Sequence, residues 1–214
     1  MADPVLDLRM ALVPGAPLTA RTPWPELAAL SSGHGGVSVK ARDGLGLATV
    51  IVRRGQLAAL TERVRDRFGI VLPQGAYRSE AAGVAFAGTG PEVWLASRET
   101  GNGFAGFLAN EIGAAAAVSD QSDGYAVLRL TGPRVRGTLA KILPVDLHAR
   151  AFKVGDVAST VAAHMGATLW RLEDAADGAA VFDIAVFRSF AGDFWHALSE
   201  SAAEFGLVVT APDA

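Results

Sequence analysis

The chain has 214 residues, half of them hydrophobic and only 19% charged, with a mean hydropathy of +0.29. That profile excludes a disordered polyelectrolyte, and a formal charge of −3 gives no basic face for the phosphates of a nucleic acid. With no cysteine, disulfide frameworks, thiol nucleophiles and cysteine-based zinc sites are excluded as well.

At about 100–200 residues per domain, the length fits one domain or two small ones sharing a core. The start, Met1-Ala2-Asp3-Pro4, lacks the basic and apolar regions of a secretory signal. Charged residues or glycine interrupt every apolar run before the roughly 18 residues of a spanning helix. A cytoplasmic protein with no membrane or nucleic-acid partner is therefore expected. Residues 1–36 hold five of the ten prolines, Pro4, Pro14, Pro17, Pro23 and Pro25. Proline fixes φ and removes a backbone donor, so this segment is predicted to be an extended arm that wraps a neighbour.

From Val37 the pattern turns regular. Residues 37–40 and 47–52 read as strands joined by the turn Arg42-Asp43-Gly44. After Gly55, Leu57, Leu60, Val64 and Phe68 make one apolar helical stripe, which Gly69 is placed to end as a left-handed cap. Strands are predicted near 83–87 and 92–96, with Gly88-Thr89-Gly90-Pro91 as the turn between them. A second helix carries Phe104, Phe107, Leu108 and Ile112, with Asn102 as its cap and Gly113 as its end. Residues 125–130 form the next strand, and Pro133 suits the first turn of a helix bearing Val135, Leu139, Ile142 and Leu143. Strands follow near 157–162, 168–172 and 181–187. The last helix, capped by Ser189, buries Phe190, Phe194 and Leu198, and residues 207–209 close the chain as a strand.

The two halves echo each other. Ala48–Gly55 (ATVIVRRG) resembles Ala126–Gly132 (AVLRLTG), and Glu111-Ile112-Gly113 resembles Glu204-Phe205-Gly206. Each half reads β-α-β-β-α-β, so the predicted fold is α+β, with two ferredoxin-like halves built on antiparallel sheets. The expected division is an arm over residues 1–36, a first half over 37–117 and a second over 118–214.

Chemistry-bearing groupings are sparse. His34, His148, His164 and His196 are scattered, with no metal-ligand spacing. Gly33-His34-Gly35-Gly36 lacks the setting of a phosphate loop and reads as a connection. In the polar run from Ser119 to Gly124, the carboxylates Asp120 and Asp123 suit acid–base work or a bound cation, while the Asp residues and Ser122 equally suit a turn before a strand. Asp146, His148 and Arg150 alternate ahead of Phe152 and would share one face if extended. No nucleophile motif accompanies them, so an interface patch explains them equally well. Trp195, on the last helix, and Trp24, on the arm, are candidates for contact with another chain, since tryptophan is enriched at interface hot spots. Trp195→Ala is accordingly expected to weaken assembly without unfolding the chain.

Several segments together resemble a known family. Val118 to Asp123, Leu128 to Arg134, Leu139-Ala140-Lys141, Asp146 to Phe152 and Arg188-Ser189-Phe190-Ala191 look like the gamma subunit of heterotetrameric sarcosine oxidase, most clearly over residues 118–206. The resemblance implies a fold similar to folate-binding aminomethyltransferase domains. It also implies a non-catalytic structural subunit with no catalytic, cofactor or metal residues of its own. Its partners would be alpha, beta and delta subunits carrying FAD, FMN, NAD, tetrahydrofolate and zinc. The complex would oxidise sarcosine to glycine, releasing hydrogen peroxide and formaldehyde or, with tetrahydrofolate, methylenetetrahydrofolate. Two alternatives stay open: an assembly acting on N-methylglutamate or another N-methyl amine, and a free-standing folate-dependent aminomethyltransferase using Asp120, Asp123 or Asp146.

Overall fold

The structure, a computed structural model, describes residues 21–24 and 35–210. The remaining part of the predicted arm lies outside the described residues, as does His34. Antiparallel pairing dominates the fold. Strands β2 (Gly46–Val52), β3 (Arg78–Ala81), β4 (Val84–Gly90), β5 (Val93–Arg98) and β6 (Ala116–Asp120) form a sheet in the order β3-β4-β5-β2-β6. A second sheet takes β1 (Val37–Ala41), β7 (Tyr125–Thr131), β8 (Val157–Ala162), β9 (Met165–Leu172), β10 (Val181–Phe187) and β11 (Leu207–Thr210) in the order β11-β1-β7-β10-β9-β8. Only the β1–β11 pair in these sheets is parallel.

The period-two alternation of strands explains how these sheets stack. On β10, Phe182, Ile184 and Val186 join a core with α3 (Val135–Ala140) and α4 (Ala191–Ala202). On the opposite face, Ala185 meets Leu47 and Leu95 of the other sheet, beside Val127, Val157 and Trp170. Helices α1 (Leu57–Phe68) and α2 (Phe104–Ile112) cover the far side of the smaller sheet through Leu60, Val64, Phe104 and Leu108. The order is therefore helices, sheet, sheet, helices. Ala87 and Ala185 both belong to the buried cluster between the sheets.

The predicted stripe of α1 is buried at Leu60, Val64 and Phe68, and Gly69 ends the helix in the left-handed region at φ 69°, donating its N–H to the Arg65 carbonyl. The caps at the other helices differ from expectation. Gly103, not Asn102, occupies the N-cap of α2, and Pro133 precedes the α3 cap at Arg134. A 3₁₀ turn over Arg188–Phe190 separates Ser189 from α4, so Ser189 caps nothing and Phe190 is exposed. The turn predicted at 88–91 is shorter, because β4 runs on to Gly90 through a register shift and Glu92 takes a positive φ.

The strand Val37–Ala41, which the sequence pattern groups with the first half, hydrogen-bonds in the larger sheet between β7 and β11. Gly36 and Val37 N–H groups donate to the Phe205 and Gly206 carbonyls at 2.9 and 3.1 Å, which fixes that register. Conversely, β6 runs across the expected boundary at 117/118 and completes the smaller sheet beside β2.

Trp24 corrects the reading of an aromatic held out for another chain. It is 2% exposed and meets the Phe194 ring edge-on at 6.3 Å, inside the core of the larger sheet. Trp195 is likewise 5% exposed, so truncating it would cost stability as well as any assembly. One buried polar contact ties the outer helices together: the Ser201 hydroxyl donates to the Thr138 carbonyl at 2.7 Å. Ser201→Ala is expected to cost about 1 kcal/mol in chemical denaturation, the net worth of one such hydrogen bond.

Candidate functional site

A cavity of about 550 Å³ opens where the ends of both sheets meet the Arg21–Pro23 segment. It gathers Asp120, Ser122 and Asp123, the residues Gly101 to Gly103 around the expected cap Asn102, and Arg188.

Local backbone chemistry builds its walls. The β6–β7 connection is pinned to the start of β2, with Gln121 N–H donating to the Leu47 carbonyl at 2.8 Å and Leu47 N–H donating to Ser122 Oγ at 3.2 Å. Ser122 in turn donates to Asp120 Oδ1 from its N–H at 2.9 Å and its hydroxyl at 2.7 Å. Arg188 N–H donates to the Gly124 carbonyl at 2.9 Å, so β10 ends against the same connection. Glycine is required where the loops cross: a Cβ on Gly101 would sit 2.8 Å from the Gly44 carbonyl oxygen.

The lining charges balance, with Arg21, Arg42 and Arg188 set against Asp43, Asp120 and Asp123. Two of the guanidiniums are engaged within the chain, Arg42 with the Glu99 carboxylate and Arg188 with the Arg21 carbonyl. Hydrogen bonds from the Ser122 backbone and side chain, and then the Gln121 backbone, hold the Asp120 carboxyl below its usual 3.8 against a smaller opposing effect of burial. A general base working near neutral pH needs the opposite displacement, so Asp120 is an acceptor and a turn-former. Its folded-state value lies below the unfolded one. The associated stability is therefore present above pH 3.8 and is lost as pH falls through the depressed folded value. A carboxyl NMR titration of Ser122→Ala is expected to move Asp120 back up toward 3.8, removing part of that acid sensitivity.

The other sequence candidates lie elsewhere. Asp146, His148 and Arg150 do not share a strand face. Asp146 Oδ1 accepts the His148 N–H at 2.9 Å, His148 Nδ1 accepts the Arg150 N–H at 3.2 Å, and Ala151 and Phe152 N–H both donate to the His148 carbonyl. Side-chain-to-backbone bonds of this kind favour turns over extended chain, which is why the alternation misleads. Phe152 is buried against Phe182, with ring centroids 6.2 Å apart. Among the described residues no three His, Cys, Asp or Glu side chains converge as metal ligands.

Sequence reasoning missed Arg42 and Tyr125. Arg42 looks like a turn residue, yet it is buried at the end of β1. Tyr125 lines the cavity on one side and stacks on the other against the exposed Phe187, with centroids 5.0 Å apart. Their pairing depends on the β7–β10 register, which places Tyr125 opposite Phe187, and no local sequence signal carries it.

Against known proteins, residues 54–204 match the sarcosine oxidase, gamma subunit family. A sarcosine oxidase subunit gamma from an Arthrobacter species is 39% identical over 106 residues, covering 48% of this chain and 52% of that relative. One from Corynebacterium sp. strain P-1 is 37% identical over 120 residues, covering 55% and 57%. The chain thus spans little more than half the length of the curated relatives it matches. Among solved structures, a chain of the heterotetrameric sarcosine oxidase from Corynebacterium sp. U-96, in complex with pyrrole 2-carboxylate, superposes with a TM-score of 0.73 and 26% identity, over 87% of this chain and 96% of that one. The glycine cleavage system aminomethyltransferase T from Bartonella henselae shares the fold, with a TM-score of 0.57 at 13% identity over 83% of this chain and 48% of that one.

Proposed function

The chain belongs to the sarcosine oxidase, gamma subunit family, and from that premise we propose that it is a non-catalytic structural subunit of a heterotetrameric flavoenzyme. The complex oxidatively demethylates sarcosine to glycine, with hydrogen peroxide and formaldehyde or methylenetetrahydrofolate as products. Alpha, beta and delta partners carry the FAD, FMN, NAD, tetrahydrofolate and zinc. The observation that carries this reading is the superposition on nearly the full length of one chain of a heterotetrameric sarcosine oxidase. The chemistry of the cavity supports it, since Asp120 is held ionised by its own turn and two of the three arginines are engaged internally. The exposed Phe187 and Phe190, on either side of Arg188, are apolar surface suited to a partner.

The reading extends to the architecture. Two units, one on each sheet, descend from a shared ferredoxin-like plan, as the β6-β2-β5-β4 order of the smaller sheet supports. In the larger sheet β1 is inserted between β11 and β7. A cytoplasmic location belongs to the same proposal. No described helix is long and apolar enough to cross a membrane.

Native mass spectrometry of the tagged chain from its own host tests the function. Stoichiometric partners with bound flavin are the expected result. A lone chain that gains only the mass of a folate would overturn it in favour of an aminomethyltransferase, and a complex turning over another N-methyl amine would overturn the substrate.

A further inference from the structure

The outer edge of β8 is an incomplete ladder. A two-residue turn at Ala163 and His164, with φ of 45° and 78°, pairs Ala162 with Met165. That register aims the backbone groups of Ala158, Thr160 and Ala162 at β9, and those of Val157, Ser159 and Val161 away from it. Val157 N–H donates to the Ala76 carbonyl at 3.0 Å, where Tyr77 makes a single antiparallel bridge with Asp156. The pairing then stops, because the Tyr77 N–H closes a tight turn onto the Gly75 carbonyl at 2.7 Å and the preceding chain leaves the edge. Within the described residues no hydrogen bond reaches the backbone N–H or C=O of Ser159 or Val161.

Beside this edge is a cleft of about 520 Å³, lined by Gly75, Ala76, Gly88, Thr89, Gly90 and neighbouring residues, none of them charged. Part of its wall is bare backbone: a Cβ on Gly88 would lie 2.0 Å from the Gly75 carbonyl oxygen. The edge itself, Val-Ala-Ser-Thr-Val-Ala, carries no charge and leaves Val161 48% exposed. Soluble proteins blunt free edges with charge, proline or brevity. The short β3 edge follows that rule with its Arg78–Glu80 ion pair, whereas β8 has none of these devices.

We propose that β8 is a docking edge for an extended, uncharged peptide segment of a partner subunit. The segment adds as an antiparallel strand at Ser159 and Val161 and continues the ladder that Tyr77 begins. The direction follows from the existing bridge, and the uncharged segment follows from a cleft with no charged residue in its lining. This inference rests on the subunit reading above.

Hydrogen exchange of the full chain, alone and in the complex purified from its host, tests it. The Ser159 and Val161 amides are expected to exchange at least about tenfold more slowly in the complex, the effect of one backbone hydrogen bond. Val161→Pro, which removes an outward N–H without touching the β9 ladder, should release the partner while leaving the melting transition of the chain in place. Val161→Lys, a gatekeeping charge on the same edge, should do likewise and serves if the proline variant misfolds. Unchanged exchange at both amides in an intact complex, or stoichiometric partners retained by both variants, would overturn the docking edge and leave the subunit reading standing. A chain that purifies alone would overturn the subunit reading itself. Protection in the isolated chain that disappears on dilution would assign the edge to a second copy, against the proposal.

Discussion

Trp24→Ala is expected to destabilise the chain by about 3–5 kcal/mol in urea denaturation, the range for emptying a buried aromatic position. The indole is one of the largest fully buried side chains and lies edge-on to Phe194 of α4, so its removal opens a cavity between α4 and the segment that precedes β1. Trp24→Phe provides the internal control. Among the described residues the indole N–H has no hydrogen-bond partner, so a phenyl ring keeps most of the contact and loses no hydrogen bond to them. Phe should therefore retain more than half of the stability that Ala loses. Equal losses in the two variants, or a loss below about 1 kcal/mol for Ala, would show that the indole does not seal this core.

That residue also marks the limit of what the linear pattern discloses. The stripe of α1 and its glycine stop were legible because both are local: spacing of 3.6 residues and a left-handed cap need no distant partner. The strands at 47–52 and 181–187 were legible for the same reason, through runs of β-branched residues. What could not be read was where non-local partners come together. β6, with the sequence Ala-Ala-Val-Ser-Asp, has weak strand propensity and becomes a strand by pairing with β2, while β1 leaves its sequence neighbours to pair with β7 and β11. The proline content around Trp24 suggested an arm and so an interface, but burial is decided by Phe194, 170 residues further on. At the cavity, the polarity of Asp120, Ser122 and Asp123 was visible, whereas its company with Arg42 and Tyr125 depends on how two sheets abut.

The second large effect lies between those sheets. Asp183 on β10 is directly opposite Arg129 on β7, and the carboxylate accepts two hydrogen bonds from the guanidinium, at 2.7 Å from Nε and 2.8 Å from an Nη. It shares its strand face with Ala185, one of the residues through which the sheets touch. Asp183→Ala should cost about 2–4 kcal/mol by thermal or chemical denaturation, since it removes a two-hydrogen-bond ionic partner from a part-buried guanidinium. The lower part of that range is favoured because the Arg129 side chain keeps 30% of its exposure to water, against 4% for Asp183. Asp183→Asn should fall between wild type and Ala, retaining an acceptor while losing the charge. Replacing both partners, with Arg129→Met and Asp183→Leu together, should cost less than Asp183→Ala alone, because two apolar side chains leave no buried charge behind. The opposite order, with the double variant the least stable, would mean that the pair contributes net stability beyond its desolvation cost. The cross-strand pair would then be a principal determinant of the β7–β10 register, the same register that sets Tyr125 against Phe187 beside the cavity.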